Sequence, residues 1–166
     1  MKTILYSLSI ILTILFLQLQ TSKGTDKLIL IKKTIAISNQ HEGIKMLVFV
    51  DHEIYSDINF EITRYISELS GEGFSPELHI YESGTPIELR SFIATKYHEG
   101  FKGMIMIGNL PLAYYRTESC TSHIPQNETF PCDLFYMDID GVFSDSNNDG
   151  IFDSHTGNVA PEMWFG

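Results

Sequence analysis

The chain has 166 residues, enough for one domain, and its 21 acidic against 11 basic residues give a formal net charge of −10. This excess of negative charge argues against nucleic acid as a partner. The charge is concentrated towards the C-terminal end, because no Lys or Arg follows Arg116 whereas nine acidic residues do. Such a run indicates either a solvated face or the surroundings of a bound cation.

The first 24 residues have the pattern of a secretory signal peptide. Lys2 is followed by an apolar run from Ile4 to Leu17, and then by small and polar residues up to Gly24. The run is shorter than the roughly 20 apolar residues of a membrane-spanning helix. We therefore expect cleavage near Gly24, no stable membrane span, and a protein that is secreted or held at the cell surface or in the periplasm. An uncleaved signal anchor is the alternative.

An N-terminal extension, residues 25–43, precedes an α/β domain that we place at residues 44–166. Within the extension, Leu28 to Ile37 predicts an edge strand or a tether. The domain begins with the apolar run Ile44 to Val50, typical of a strand that is buried on both faces. Asp51 follows at the position of a helix N-cap, and apolar residues then recur at helical spacing up to Leu69.

The same alternation of strand and helix repeats further along the chain. Phe74 to Tyr81 predicts a strand, and Thr85, Pro86 and Glu88 form a capping box that begins a second helix. A third strand is predicted from Lys102 to Gly108. The order indicates a three-layer α/β architecture, with a mostly parallel sheet that carries helices on both faces.

The carboxyl edge of such a sheet is where ligands collect, and Asp51 is expected there. Helix capping is the simpler interpretation of Asp51. Beyond the third strand, Leu110 to Thr129 is predicted to be irregular, Leu134 to Ile139 to form a strand, and Val159 to Phe165 to begin another. We expect the fold to be incomplete at its C-terminus, as in a fragment.

Residues 145–153 form the most specific local motif of the sequence. Oxygen-bearing side chains occur at every second position, and Gly150 stands at the sixth position of the motif, where calcium loops turn sharply. The predicted ligands from this loop are Asp145, Asn147, Asp149, the carbonyl of Ile151 and Asp153. Thr156 stands where an EF-hand has a bidentate glutamate, so we expect Asp138 or Asp140 to complete a structural calcium site. A solvated turn rich in Asp and Asn is the alternative.

The order of several motifs resembles the N-terminal half of gingipain-like cysteine peptidases, a family of secreted enzymes. The motifs are Met104-Ile-Met-Ile-Gly-Asn-Leu-Pro111, Phe130-Pro-Cys-Asp-Leu-Phe-Tyr-Met-Asp-Ile-Asp-Gly141, the aspartate loop, and Gly157-Asn-Val-Ala-Pro-Glu-Met-Trp-Phe-Gly166. The resemblance implies a caspase-like α/β fold, which is consistent with the three-layer, Rossmann-like alternation of strands and helices predicted above. It also implies structural calcium.

The catalytic His and Cys of that family lie further along the chain, and nothing in this sequence matches them. The resemblance therefore implies a catalytically silent part of a peptidase, whose partner is the downstream half of the same enzyme or a polypeptide substrate. Cys120 and Cys132 lie in a loop-like stretch without a histidine motif of the kind that activates a nucleophile. The sequence leaves open whether these two cysteines form a disulfide.

Two other interpretations remain. Tyr136 to Phe143 is similar to the first motif of haloacid dehalogenase-type phosphatases, in which two aspartates act as nucleophile and general acid. No lysine follows it, although those enzymes need one. The other interpretation is an exported, non-catalytic module for adhesion or binding that is stiffened by calcium.

Overall fold

The computed structural model describes residues 27–35, 43–119 and 126–166. Its largest sheet has five strands in the order β1-β3-β2-β4-β10. These are β1 (Ile29–Lys33), β2 (Ile44–Asp51), β3 (Phe74–Ser83), β4 (Gly103–Ile107) and β10 (Trp164–Phe165). Strands β3, β2, β4 and β10 run parallel to one another, whereas β1 pairs antiparallel with β3 at the edge.

Two long helices connect the parallel strands, and each begins where the sequence predicts. Helix α1 (His52–Gly71) follows β2 and is capped by Asp51, whose Oδ1 accepts a hydrogen bond from the Glu53 amide at 3.0 Å. Helix α2 (Pro86–His98) follows β3, and Thr85 and Glu88 form the predicted capping box at its N-terminus. The N-cap interpretation of Asp51 is therefore confirmed.

The two helices pack on opposite faces of the five-stranded sheet. Because side chains alternate along a strand, Met46, Val48 and Val50 share one face of β2, and there they pack against apolar residues of α1. Leu47 and Phe49 point the other way, into a cluster that contains apolar residues of α2. The second cluster also takes in the chain beyond β4.

Two smaller sheets and a short helix lie in that later part of the chain. Strands β5 (Tyr114–Ser119) and β6 (Gln126–Pro131) pair antiparallel, and β8 (Ile151–Phe152) runs parallel to β5. Strands β7 (Val142–Ser144) and β9 (Ser154–Thr156) form an antiparallel pair. Helix α3 (Leu134–Met137) lies between β6 and β7.

The predicted three-layer architecture with one mostly parallel sheet is wrong. Strand content, 37%, exceeds helix content, 30%, and antiparallel pairs occur in all three sheets. The caspase-like and Rossmann-like descriptions of the fold are therefore wrong as well. The sequence pattern correctly predicted the strands and helices from β2 to β4. It did not predict the two small sheets that the acidic C-terminal part of the chain forms.

Two local predictions after β4 are also wrong. Leu134 to Ile139 is not a strand, since its first four residues form α3. Part of the stretch from Leu110 to Thr129, predicted to be irregular, forms β5 and the first residues of β6. The edge strand expected between Leu28 and Ile37 is present as β1.

Some predictions fall on residues outside the described part of the chain. The signal peptide, residues 1–24, is one of them, and Cys120, half of the possible disulfide, is another. Within residues 27–35, 43–119 and 126–166, no helix has both the length and the apolar character needed to cross a bilayer.

Candidate metal centre

Asp138, Asp140 and Glu162 form a cluster of three acidic side chains, called here the acidic cluster. One carboxylate oxygen from each lies within 4.8 Å of the others. Asp138 is completely buried, Glu162 is partly buried and Asp140 is exposed. Within the described residues, no other group of three acidic, His or Cys side chains converges in this way. The acidic cluster is therefore the candidate metal centre.

Helix α3 places Asp138 in the cluster. Phe135 and Tyr136 are buried, and the Tyr136 hydroxyl donates to the carbonyl oxygen of Pro111 at 2.6 Å. This anchors the short helix beside the segment that follows β4. Asp138 comes directly after the last turn, and its amide donates to Leu134 at 2.9 Å. The carboxylate is thus fixed by the packing of the preceding aromatic residues.

The segment that leads into β10 supplies Glu162. The amides of Glu162 and Met163 both donate to the carbonyl oxygen of Met137 at 3.1 Å. The Glu162 carboxylate in turn accepts a hydrogen bond from the Ile139 amide at 2.7 Å. These contacts hold the chain before β10 against the chain after α3, so the cluster joins two segments that are distant in sequence.

Both oxygens of Asp138 have hydrogen-bond partners. Oδ1 accepts from the Gly141 amide at 2.7 Å, and Oδ2 lies 2.7 Å from Nε2 of His155. The pairing of β7 with β9 sets His155 opposite Phe143, and their rings lie 4.6 Å apart. A side chain on Gly141 would collide with Asp138 and lie 2.5 Å from Nε2 of His155. A glycine is therefore required here for space.

Arg90 from α2 supplies the positive charge next to the acidic cluster. Its guanidinium donates to the carbonyl oxygens of Phe135, Asp138 and Gly141 at 2.6–2.7 Å. Burial lowers the pKa of Arg90, while the charges of Asp138 and Glu162 act in the opposite direction. The guanidinium stays charged at neutral pH, since arginine does not deprotonate in proteins. With His155 counted as neutral, three carboxylates and one guanidinium leave a formal charge of −2, which is the charge that a divalent cation would balance.

The aspartate loop, residues 145–153, lies between β7 and β9 and includes β8. Asp145 accepts from the amides of Asp149 at 3.2 Å and of Gly150 at 2.8 Å. Asn147 contacts Asp149 twice, and Ser146 donates to Asp153 from its amide at 3.1 Å and from its hydroxyl. The loop is a tight, internally hydrogen-bonded turn. Gly150 takes a φ of +85° in it, as the sharp turn requires.

One side chain of this loop is paired with an arginine. Nη2 of Arg116, on β5, lies 2.8 Å from Oδ2 of Asp149, and this hydrogen bond is the main reason that the pKa of Asp149 is lowered. The carboxylates of Asp145, Asp149 and Asp153 do not come within 4.8 Å of one another as a group of three. The predicted ligands are thus divided, with Asp138 and Asp140 in the acidic cluster and Asp145 to Asp153 in the loop.

Glu162, Arg90 and His155 were not predicted as parts of this site. The sequence showed Glu162 only as one of nine acidic residues after Arg116, and His155 stood in no metal-ligand spacing. Arg90 lies on a different element, and no local pattern connects it to the acidic end of the chain. Comparisons of the chain with models of protein families, with curated proteins and with solved structures found no match.

Proposed function

We infer that this chain is a calcium-binding part of an exported, gingipain-like cysteine peptidase. The observation that carries the proposal is the acidic cluster, because its ligands come from two of the motifs on which the family resemblance rests. Asp138 and Asp140 belong to the motif that ends at Gly141, and Glu162 belongs to the motif that ends at Gly166. A cation held between them links the two motifs.

The donor set favours a hard divalent cation. All three side chains offer carboxylate oxygens, which calcium and magnesium prefer to nitrogen or sulfur ligands. A completely buried carboxylate such as Asp138 is costly unless positive charge or hydrogen-bond donors compensate for it. Arg90 and His155 supply part of that compensation, and a divalent cation supplies the rest. One oxygen from each of the three carboxylates converges, so water or backbone oxygens have to complete the six or more ligands that calcium takes.

The aspartate loop is a second place for calcium, and the acidic cluster is the better supported of the two. In the loop, an oxygen of Asp149 is hydrogen bonded to Arg116, so a cation there has to compete with a guanidinium. In the acidic cluster the arginine donates to backbone carbonyls and leaves the carboxylate oxygens to other partners. We therefore assign the structural ion to Asp138, Asp140 and Glu162.

In this proposal the chain contributes structure and not the catalytic residues. Cys132 is a poor nucleophile, because burial raises the pKa of its thiol. No residue of the sequence matches the histidine and cysteine that the resemblance implies. A phosphatase is disfavoured on similar grounds, since a nucleophilic aspartate needs access to its substrate and Asp138 is 0% exposed.

Terbium luminescence tests the cation site directly. Tb³⁺ binds calcium sites, and Trp164, the single tryptophan of the chain, lies two residues beyond Glu162 and can sensitise its emission. We expect sensitised emission that calcium displaces, and a loss of at least tenfold in affinity in Glu162→Gln and Asp140→Asn. The control Glu61→Gln removes a charge from the exposed face of α1 and leaves the affinity unchanged.

Two results of this titration decide against the acidic cluster. If Asp145→Asn abolishes the emission while Glu162→Gln keeps it, the ion belongs to the aspartate loop. If no variant differs from the unaltered chain, the emission comes from scattered surface charges and the calcium proposal fails.

The peptidase lineage needs a separate test, which is the coding sequence after the codon for Gly166. An open frame with a histidine–glycine segment and a later cysteine after an apolar strand supports the lineage. The full gene product should then cleave polypeptides and lose that activity when the cysteine is alkylated. A stop codon at this position favours instead the non-catalytic calcium-binding module.

A further inference from the structure

A cavity of about 300 Å³ opens at the carboxyl ends of β3, β2 and β4. Strand β2 lies between β3 and β4. Helix α1 connects β2 to β3 on one side, and helix α2 then connects β3 to β4 on the other side of β2. A crevice forms at the carboxyl ends of adjacent parallel strands when their connections leave in opposite directions. Such crevices are common ligand sites. The cavity shares no residue with the acidic cluster.

Glycines and one buried aspartate shape this cavity. Asp51 accepts hydrogen bonds from the amides of Glu53 at 3.0 Å and of Asn109 at 3.1 Å, which fixes its carboxylate between β2 and β4. Gly108 has a φ of +97°, and a Cβ there would lie 2.6 Å from that of Asp51. On the other side, the Tyr81 hydroxyl donates to Gly84 at 2.8 Å. The walls are therefore held in place by defined contacts.

The charge of the lining is negative. Three carboxylates line the cavity, those of Asp51, Glu53 and Glu82, and the lining contains no Lys or Arg, although Nδ1 of His52 lies 3.5 Å from Oδ1 of Asp51. The N-terminus of α1 also faces it and contributes about half of a positive charge, part of which the capping carboxylate of Asp51 already offsets. The acidic side chains prevail, so the cavity attracts cations and repels phosphate or carboxylate ligands.

The spacing of these carboxylates selects the kind of cation. They do not meet within 4.8 Å as a group of three, unlike those of the acidic cluster, so one bare metal ion cannot contact them all. The volume is at the lower end of small-molecule sites and roughly ten times that of a water molecule. We propose that this cavity binds a small organic cation with ammonium or guanidinium groups that reach the separated carboxylates.

Titration of the whole, isotope-labelled chain with 1,4-diaminobutane tests the proposal by backbone-amide NMR. We expect saturable shifts of the amides of Asn109 and Glu53, and none with 1,4-butanediol, which has nearly the same shape without the charge. Glu82→Gln should weaken binding about two- to fivefold, the size of an exposed ion pair, and the double variant Glu53→Gln/Glu82→Gln about tenfold or more.

The matched control is Glu61→Gln, which removes the same charge from α1 outside the cavity and should leave the affinity unchanged. Equal weakening by Glu61→Gln, or equal shifts with butanediol, overturns the proposal. So do shifts of the same amides by inorganic phosphate without any by the diamine. The acidic-cluster variant Glu162→Gln should bind the diamine normally, which separates this site from the proposed calcium site.

Discussion

Nη2 of Arg90 donates a hydrogen bond of 2.6 Å to the carbonyl oxygen of Asp138. The same guanidinium reaches the carbonyl oxygens of Phe135 and Gly141, and it lies over the rings of Phe135 and Phe143 at 5.1 and 5.5 Å. A single side chain of α2 therefore holds the backbone on both sides of the most buried carboxylate of the acidic cluster.

Replacing Arg90 with lysine should destabilise the protein although the charge is kept. A lysine ammonium lacks the planar fork that reaches several carbonyls at once, so we expect the free energy of unfolding to fall by about 2–4 kcal/mol in urea titrations. Arg64→Lys is the control, because Arg64 is 65% exposed and pairs with Glu68 at 3.4 Å. It should change the free energy by less than about 0.5 kcal/mol. Equal effects in both variants would contradict the role of Arg90.

Gly141→Ala should disturb the contact between Asp138 and His155. The added methyl group overlaps the Asp138 carboxylate and Nε2 of His155, so we expect a loss of about 2–3 kcal/mol in the free energy of unfolding. Gly71→Ala is the matched control, since nothing lies within 4 Å of the added group at the end of α1. That variant should be neutral or slightly more stable. A stable Gly141→Ala protein would show that the space around Asp138 is not tight.

Stability should fall between pH 4.5 and pH 2 because of Glu77. Burial alone raises the pKa of this carboxyl, but hydrogen bonds from Lys32, Lys96 and His79 outweigh it and lower the pKa to about 2. A carboxyl whose folded pKa is below its unfolded value stabilises the fold above the unfolded pKa, and that contribution disappears as the pH falls to the folded one. The contribution is at most about 3 kcal/mol.

Glu77→Gln should remove this part of the pH dependence. We expect the midpoint of urea unfolding to change less between pH 4.5 and pH 3 in the variant than in the unaltered protein. Glu68→Gln, at an exposed position of α1, should leave the slope as it is. A parallel pH dependence of the Glu77 variant and the unaltered protein would refute the assignment.

His79 should cause a second loss of stability on acidification, in a higher pH range than that of Glu77. Its ring contacts those of Phe49 and Phe92, its Nε2 is 2.7 Å from Glu77, and its Nδ1 is buried without a hydrogen-bond partner. Burial lowers the pKa of this histidine below its usual value of 6.5, against the pull of Glu77. The unfolded chain therefore takes up the proton first, so stability falls as the pH drops below 6.5.

The slope of stability against pH reports the titration of His79 even if a substitution also lowers the overall stability of the protein. His79→Gln should flatten the pH dependence of the melting temperature between pH 7 and pH 5, whatever its absolute stability. His98→Gln alters an exposed histidine of α2 and should keep the original slope. Identical slopes in the His79 variant and the unaltered protein would exclude His79 as the source.

Arg116→Gln should strengthen binding of calcium to the aspartate loop, if that loop takes an ion. Removing the guanidinium takes its hydrogen bond away from Oδ2 of Asp149, to which the side-chain amide of Asn147 still donates, and adds one unit of net negative charge, so we expect an affinity about two- to tenfold higher by calorimetry. Arg64→Gln changes the net charge equally at a distant position and is the control. An unchanged or weaker affinity in the Arg116 variant would mean that Asp149 is not a ligand.

The first half of the fold follows from local sequence signals. Continuous apolar runs mark β2 and β4, and Asp51 and Thr85 mark the starts of α1 and α2. These signals are strong because a helix cap and a continuous apolar run can each be recognised from a few neighbouring residues. The architecture as a whole was wrong because β5 and β6 are polar strands without a continuous apolar run, and β5 also pairs with the two-residue strand β8, which lies far along the chain.

The candidate site was only partly predictable for the same reason. Asp138 and Asp140 stand out as an alternating pair, and the structure places both in the acidic cluster. Glu162 joins them because two amides of its segment bond to Met137, a contact between residues far apart in sequence. The apolar run after Asp133 forms α3 and not a strand, and a run of that length does not distinguish the two.

The indole of Trp164 lies across Gly103, where any added side chain would occupy the same space. Strand β10 has two residues, too few to persist alone, and it closes a loop of about sixty residues onto β4. Strand β10 pairs with β4, which in turn pairs with β2, so we expect the central strands to associate before the tryptophan docks. Its fluorescence should accordingly change in the slowest phase of refolding, after amide protection of the central strands has developed.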